Sequence, residues 1–225
     1  MLILRNYNEF IERVNELGFM PLSNIHKGLP SLVDETQKEA WHTGNPETDP
    51  WCWKDRAAEE KQLAFGCILG GHKGFVAQSM YPYFYVSFRP SEDMEYRWEQ
   101  GLVSNEVKEV WKLFQTQTLL NTSDLRHEMG VGKKGGSKVD NAIIELQKYF
   151  YITVAGNRRK VNKAGEPYGW PANVYDKVEN WAPDSWLEEC CGMDKSEAKQ
   201  LLIEKSLGKY TNITEAQLRK VLSIK

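Results

Sequence analysis

An α+β fold is predicted from three features of the 225-residue sequence. Apolar residues recur at helical spacing in several segments, and shorter segments rich in β-branched and aromatic residues are bounded by glycine or proline. Hydrophobic residues make up 41% of the chain, which is enough to bury a substantial core. The longest apolar runs fall short of the roughly 20 residues of a membrane helix, and the N-terminus does not resemble a signal peptide. We therefore expect a globular protein without a membrane span.

The first hundred residues predict helices on both sides of one β-hairpin. The stretch "NYNEFIERVNELG" is an amphipathic helix ending at Gly18, and a short helix is expected from about Ser31. The stretch "QLAFGCILGGHKGFVAQSM" reads as two strands around a glycine turn. Two further helices are expected, one in "SMYPYFYVSF" with Ser79 as its cap and one from Ser91 to Gly101.

The segment "HTGNPETDPWCWKDR" places two tryptophans at the start of a predicted helix. Asp49 suits the N-cap and Pro50 the first helical residue, so that the helix continues towards Lys61. Trp51 and Trp53 then diverge. They are either hydrophobic plugs or surfaces on which an unpaired base could stack, and the plug is favoured because a tryptophan at a helix start commonly covers a core.

The central part of the chain predicts three helices followed by two strands. The first helix is capped at Ser104, the second is capped near Thr122 or Ser123 and ends at Gly130, and the third is capped at Ser137. The stretches "YITVAG" and "NVYDKVENW" predict strands, joined by the basic turn "NRRKVNKAGEPYGWP". Three helices, a strand, a loop and a strand follow the order of a winged helix, whose third helix can enter a DNA groove.

Three modules are expected along the chain. Residues 1–103 form an N-terminal winged-helix-like module with the hairpin, and residues 104–183 form the central winged-helix domain. Residues 184–225 form a C-terminal helical module that contains two amphipathic helices.

A basic patch is concentrated in the central module. Residues 126–163 contain nine Lys or Arg and three acids, a balance of +6 in a chain whose net charge is −2. Such a local surplus is what binding to a phosphate backbone needs. The residues predicted to contact DNA are Lys133, Lys134, Ser137, Lys138, Asn141, Arg158, Arg159 and Lys160.

The alternative is that this patch is only a solvated basic surface. Asp140 and Glu145 lie on the exposed side of the third helix, which carries no arginine for bidentate contact with guanine. If DNA is bound, we expect contacts to the backbone to outweigh the reading of bases.

Other patterns give little support to catalysis, metal binding or a cofactor. The cysteines Cys52, Cys67, Cys190 and Cys191 have no metal-binding or disulfide spacing, which favours a reducing cytoplasm. The stretch "GVGKKGGS" resembles a phosphate-binding loop, but Gly136 stands where that motif needs lysine. A water-activating acid among Glu47, Asp49 and Asp55 is chemically possible, although Asp49 already has a role as an N-cap.

Four stretches together resemble the bacterial AlkZ-related proteins, relatives of the AlkZ and YcaQ DNA glycosylases. These stretches are "HTGNPETDPWCWKDR", "GHKGFVAQSMYPYF", "DNAIIELQKYFYITVAG" and "KAGEPYGWPANVYD". The resemblance covers nearly the whole chain from about residue 30 and implies tandem winged helices and an association with DNA. The glycosylases remove alkylated or crosslinked bases with a Gln-x-Asp or Gln-x-Gln motif near the N-terminus. Residues 1–60 contain no such motif, and the single Gln-x-Gln runs from Gln115 to Gln117.

We therefore expect a winged-helix protein that binds duplex DNA, with a possible place in DNA repair. Two alternatives stay open: an active glycosylase for alkylated bases with a different catalytic acid, and a non-catalytic scaffold that binds a protein partner. Oligomeric state, lesion and DNA sequence preference have no signal in the chain.

Overall fold

Helices and antiparallel strands share the chain, which confirms the α+β class. The computed structural model describes residues 2–132, 135–188, 192–210 and 212–224. Lys133 and Lys134, two of the residues predicted to contact DNA, lie outside these ranges, as do Cys190 and Cys191.

The first half contains one three-stranded sheet with helices before and after it. In chain order its elements are α1 (Tyr7–Leu17), β1 (Phe19–Pro21), α2 (Pro50–Glu59), β2 (Leu63–Leu69), β3 (His72–Ala77), α3 (Tyr81–Phe88) and α4 (Met94–Glu99). The strand order is β1-β3-β2, with antiparallel pairs. The helix expected from about Ser31 is wrong. A single turn forms there, closed by the Glu35 N–H donating to the Ser31 carbonyl, and a 3₁₀ helix follows at Lys38–Ala40.

The second half repeats this arrangement with a longer hairpin. Its elements are α5 (Asn105–Thr116), β4 (Leu120–Asn121), α6 (Thr122–Glu128), α7 (Gly136–Lys148), β5 (Ile152–Val161) and β6 (Pro167–Lys177). The strand order is β4-β6-β5, so the short strand again pairs with the last strand of the hairpin.

The two halves agree in backbone detail as well as in order. In each half, the residue two positions before the hairpin has a left-handed backbone: Lys61 has φ 55° and Phe150 has φ 56°. The first hairpin strand of each half then has a register shift at a glycine, Gly66 with φ 156° and Gly156 with φ 154°. The halves are therefore two copies of one structural plan.

The two copies are packed into each other. Helix α2 of the first half packs on β5 of the second, and α7 of the second half packs on β2 of the first. A single cluster of buried apolar side chains runs from Leu4 to Ile224. The helix that directly precedes the hairpin in each half is thus held between its own core and the other half's hairpin.

Four helices follow the second hairpin in the described ranges, and the last three of them pack on the first half. They are α8 (Val178–Trp181), α9 (Asp184–Glu188), α10 (Lys195–Leu207) and α11 (Glu215–Leu222). Helix α10 packs on α3, and the Tyr210 hydroxyl donates to the Phe19 carbonyl. A Cβ at Gly70, in the tip of the first hairpin, would lie 2.6 Å from the Val221 carbonyl oxygen. The first hairpin tip is therefore covered by α11.

Several helices begin at a residue other than the predicted one. The predicted caps Ser79, Ser91, Thr122 or Ser123, and Ser137 are wrong, and the observed N-caps are Met80, Asp93, Asn121 and Gly135. Asp93 accepts from the Tyr96 N–H, and Asn121 forms a reciprocal capping box with Asp124. The cap predictions at Asp49 and Ser104 are confirmed.

Trp53 is a core plug, as predicted. It is fully buried, stacks on Phe10 with a centroid separation of 5.7 Å, and donates its indole N–H to the Glu47 carbonyl. Trp51 is only half-buried, and its ring lies 4.9 Å from the ring of His42. The plug prediction is thus confirmed for Trp53, whereas Trp51 is partly exposed.

Candidate nucleic-acid interface

The second hairpin carries Arg158, Arg159 and Lys160 on strand β5 and not in its turn. Arg158 pairs with Ala172 and Lys160 with Tyr168 across the β5–β6 ladder. The turn itself is confined to residues 162–166, where the Asn162 N–H donates to the Glu166 carbonyl. The predicted basic turn "NRRKVNKAGEPYGWP" is therefore wrong in its bounds, because strand pairing extends through both of its ends.

A groove of about 530 Å³ lies between this hairpin and the start of α6. Arg158, Arg159 and Lys160 all line it, as do Tyr168 and Trp170 from the opposite strand. Trp170 is 73% exposed and Tyr168 is 52% exposed. Cationic and aromatic side chains thus share one open surface, which we call the hairpin groove.

The three cations of the hairpin groove differ in how they are held. Arg158 donates to the Asp124 carboxylate at 2.5 Å, so part of its charge is neutralised within the protein. Among the described residues, neither Arg159 nor Lys160 has a carboxylate within 4.0 Å, and both are exposed. Arg159 and Lys160 are therefore the cations most available to a ligand.

The other described residues of the predicted site lie on α7. Ser137, Lys138 and Asn141 are exposed on its first two turns. Lys138 donates to Glu106 at 2.8 Å, and this contact raises the pKa of its ammonium group. None of the three lines the hairpin groove. The predicted residues thus form two surfaces, one on the hairpin and one on α7.

The acids of α7 are partly withdrawn from solvent. Asp140 accepts from the Arg126 guanidinium at 2.8 and 2.6 Å. Glu145 is half-buried, and burial raises the pKa of its carboxyl group. These contacts reduce the repulsion that two free carboxylates would exert on a phosphate backbone.

Trp170 also connects the hairpin to the first half. Its ring meets the ring of His42 edge-on at 5.9 Å, and His42 in turn contacts Trp51. Sequence reasoning missed Trp170 and Tyr168. Their available signal was the pair of aromatic residues close to the basic run in "GEPYGWP".

The three candidate acids have different environments. Glu47 is exposed and pairs with Arg56 at 2.7 Å. Asp49 accepts the backbone N–H groups of His42, Gly44 and Trp51, which fully explains its burial. Asp55 is buried against Lys54 at 2.5 Å, and burial raises the pKa of its carboxyl group. Asp55 is the buried member of this set that has no capping role.

Gln115 and Gln117 lie at the end of α5, away from a pocket wall. Gln115 is exposed and donates weakly to the Trp111 carbonyl at 3.4 Å, while Gln117 is the C-cap. Over the described ranges, no group of three or more His, Cys, Asp or Glu side chains is placed to hold a metal ion. The helices of the same ranges are too short or too polar to cross a membrane.

One family model matches nearly the whole chain. The chain belongs to the AlkZ-related family, whose model matches residues 4–223. Neither the curated proteins nor the solved structures gave a match. The family relation connects the chain to AlkZ-type DNA glycosylases. It assigns no role to any individual residue.

Proposed function

We propose that this protein contains two winged-helix modules, that the second of them binds duplex DNA mainly by contacts to the phosphate backbone, and that the protein acts in DNA repair. Both halves have a helix, a short strand, a further helix and a hairpin, with the short strand paired to the last strand. In winged helices the last helix enters a groove and the hairpin contacts the flanking backbone. Here these elements are α7 and the β5–β6 hairpin.

The hairpin groove carries the proposal. Unpaired cations favour phosphate binding because each contact releases condensed counterions. Exposed aromatic rings can stack on bases or wedge between them. Arg159, Lys160 and Trp170 provide both types of contact on one surface. The first hairpin cannot act in the same way, since its tip is covered by α11.

Contacts to the backbone outweigh base reading in this proposal. The exposed start of α7 has Ser137, Lys138 and Asn141, and Lys138 is already paired with Glu106. Asn141 can pair with adenine, but the described part of α7 has no arginine for guanine. We therefore expect weak sequence preference.

The test is duplex binding measured by fluorescence anisotropy over a salt series. Each phosphate contact contributes about 0.9 to the slope of log affinity against log salt. The double variant Arg159→Ala/Lys160→Ala should lower the magnitude of that slope by roughly 1.8 if both contact phosphates. Lys220→Ala, an exposed lysine on α11, is the matched control and should leave the slope unchanged. Absence of duplex binding by folded wild-type protein would refute the proposal and favour a scaffold that binds protein.

A second candidate function is base excision with Asp55 as the catalytic acid. The burial of Asp55 and the raised pKa of its carboxyl group favour it over Glu47 and Asp49. Its test is base release from alkylated and crosslinked duplexes. Release that is lost in Asp55→Asn, with DNA affinity retained, would establish the activity.

A further inference from the structure

A groove of about 720 Å³ lies on the first half of the protein. Its walls come from three parts of the chain: the last two turns of α1, residues 24–35 after β1, and residues 208–210 and 212 between α10 and α11. None of its described lining residues belongs to the second hairpin. Pockets for drug-sized ligands measure about 300–1,000 Å³. This groove, which we call the α1 groove, therefore has room for a small organic molecule.

Close packing between distant segments forms the walls of the α1 groove. Gly28 is buried, and a Cβ at this residue would lie 2.2 Å from the Asn212 carbonyl oxygen. Tyr210 is also buried, and its hydroxyl donates to the Phe19 carbonyl. The fold itself therefore builds the groove, and a ligand does not have to assemble it.

Arg13 of α1 is oriented in the groove by a buried carboxylate. Its Nε and Nη2 atoms donate to the two carboxylate oxygens of Glu35 at 2.9 and 2.8 Å, and Glu35 is only 5% exposed. Two parallel bonds of this kind fix the plane of a guanidinium group. The Nη1 atom donates to Glu16, whose side chain is 69% exposed. A guanidinium group has five N–H donors, so one N–H on each Nη atom stays available to a ligand.

The acids that line the groove have partners within the protein, whereas two of its cations have no acidic partner. Glu16, Asp34 and Glu35 all accept hydrogen bonds from protein side chains. Lys27 and Lys209 are exposed, and among the residues that the structure describes neither has a carboxylate within 4.0 Å. The charge that is left for a ligand is therefore positive.

Helix α1 explains where the ammonium group of Lys209 lies. This group would be 3.7 Å from a Cβ at Gly18, the C-cap of α1. The C-terminal end of a helix carries a partial negative charge, which favours a cation at this place. The helix thus keeps one ammonium group at the groove without neutralising it by a carboxylate.

We propose that the α1 groove binds a small organic phosphate of about mononucleotide size, with its phosphate held by Lys27, Lys209 and the free edge of Arg13. A phosphate monoester carries a charge of about −1.5 to −2 at pH 7 and three acceptor oxygens. It therefore matches three cationic donors better than a carboxylate, which has one charge and two oxygens. The amides of Asn24 and Asn212 line the same groove and can bond to the organic part. The inference is independent of the proposed DNA binding.

The test is isothermal titration calorimetry with adenosine monophosphate as the probe and adenosine as its uncharged counterpart. Adenosine should bind at least about tenfold more weakly, because one hydrogen bond between charged groups is worth roughly that factor. Lys27→Ala/Lys209→Ala should weaken the binding of adenosine monophosphate by about tenfold or more. The matched control is Lys163→Ala/Lys220→Ala, which removes two exposed lysines outside the groove and should leave the affinity unchanged.

A third variant distinguishes the α1 groove from the hairpin groove as the phosphate site. Arg159→Ala/Lys160→Ala changes the hairpin groove alone and should bind adenosine monophosphate as wild type does. Loss of binding in this variant would place the phosphate in the hairpin groove and overturn the inference.

Three other outcomes overturn the inference as well: no binding of adenosine monophosphate to wild type, equal binding of adenosine, and full affinity in Lys27→Ala/Lys209→Ala. Both of these lysines are exposed, so their replacement should leave the fold intact, and the melting temperature checks this. Duplex affinity is measured separately, so failure of this inference leaves the proposed function standing.

Discussion

Lys54 and Asp55 are neighbours in sequence whose side chains bond to each other inside the protein. The ammonium and carboxylate lie 2.5 Å apart, and both side chains are less than a tenth exposed. The side chains of consecutive helical residues normally point in different directions. The contact forms here because both side chains are buried in the same place. The Lys54 ammonium also lies 4.3 Å from the centre of the Trp51 ring, and Asp55 is within reach of Asn157 on β5. The pair thus joins the two halves.

Breaking this pair should strongly destabilise the fold. Lys54→Met leaves a buried carboxylate without its partner, which should lower the free energy of unfolding by about 3–5 kcal/mol. Urea unfolding followed by tryptophan fluorescence measures the change. Lys112→Ala, which breaks the exposed pair with Glu109, is the control and should leave stability nearly unchanged.

The double variant Lys54→Met/Asp55→Leu should recover much of this loss, because it removes both buried charges. A double variant that is as unstable as Lys54→Met would contradict the explanation and point to lost packing instead.

The pH dependence of Lys54→Met should identify the orphaned group. Burial raises the pKa of Asp55, and removal of the lysine takes away a charge that opposes this rise. A carboxyl group whose pKa is higher in the folded than in the unfolded protein stabilises the fold most at pH values below its unfolded pKa of about 3.9. This contribution to stability is lost as the pH rises through the folded pKa. Lys54→Met should therefore regain stability relative to wild type on acidification. The same difference at neutral and acidic pH would exclude Asp55 as the cause.

The two tryptophans at the start of α2 should differ in their contribution to stability. Trp53→Ala empties a fully buried site and should cost about 3–5 kcal/mol. Trp51→Ala should cost clearly less because Trp51 is half-buried. Thermal unfolding of both variants measures the difference, and equal losses would show that the contacts of Trp51 with His42 and Lys54 matter as much as full burial.

Substitution of the Gln-x-Gln residues should leave DNA binding and any base release intact. Gln115 is exposed on α5 and Gln117 is the C-cap of that helix, and neither lines the hairpin groove. Gln115→Ala and Gln117→Ala should match wild type in anisotropy and in base-release assays. Loss of base release in either folded variant would instead make this motif catalytic.

Gly70 and Gly165 offer a matched pair of substitutions at the two hairpin tips. Both have a left-handed backbone, φ 62° and φ 83°, so alanine has a similar conformational cost at each site. A Cβ at Gly70 meets the backbone of α11, whereas one at Gly165 meets nothing within 4 Å. Gly70→Ala should therefore be more destabilising by about 1–3 kcal/mol. Equal melting temperatures would show that the contact with α11 yields easily.

Helix faces could be predicted from the sequence because their spacing is a local property. Of the four residues that the spacing places on one face of α5, Val107, Val110 and Phe114 are buried and Trp111 is half-buried. Helix starts were less predictable where several capping residues are adjacent. Ser91 and Asp93 are both suitable N-caps for α4, and only the path of the preceding chain decides which of them caps the helix.

The extent of the second hairpin and its groove depends on distant residues. The run from Arg158 to Lys160 is polar and precedes glycine and proline, which favours a turn, yet pairing with residues 168–172 makes it a strand. The doubled plan was implied only by the family resemblance, because the halves share backbone geometry and not side chains. Lys61 and Phe150 occupy the same place with unrelated chemistry.

The tips of the two hairpins have unequal surroundings, although the two halves share one structural plan. The first tip is fixed by α11, so an insertion between Gly70 and Gly71 would have to displace a packed helix. The second tip around Gly165 has open space, so added residues would only lengthen a free arm. Evolution or protein engineering can therefore insert residues at the tip of the second hairpin. Insertions at the tip of the first hairpin would disturb the packing of α11. New contacts to a ligand can arise at the second tip without disturbing the fold.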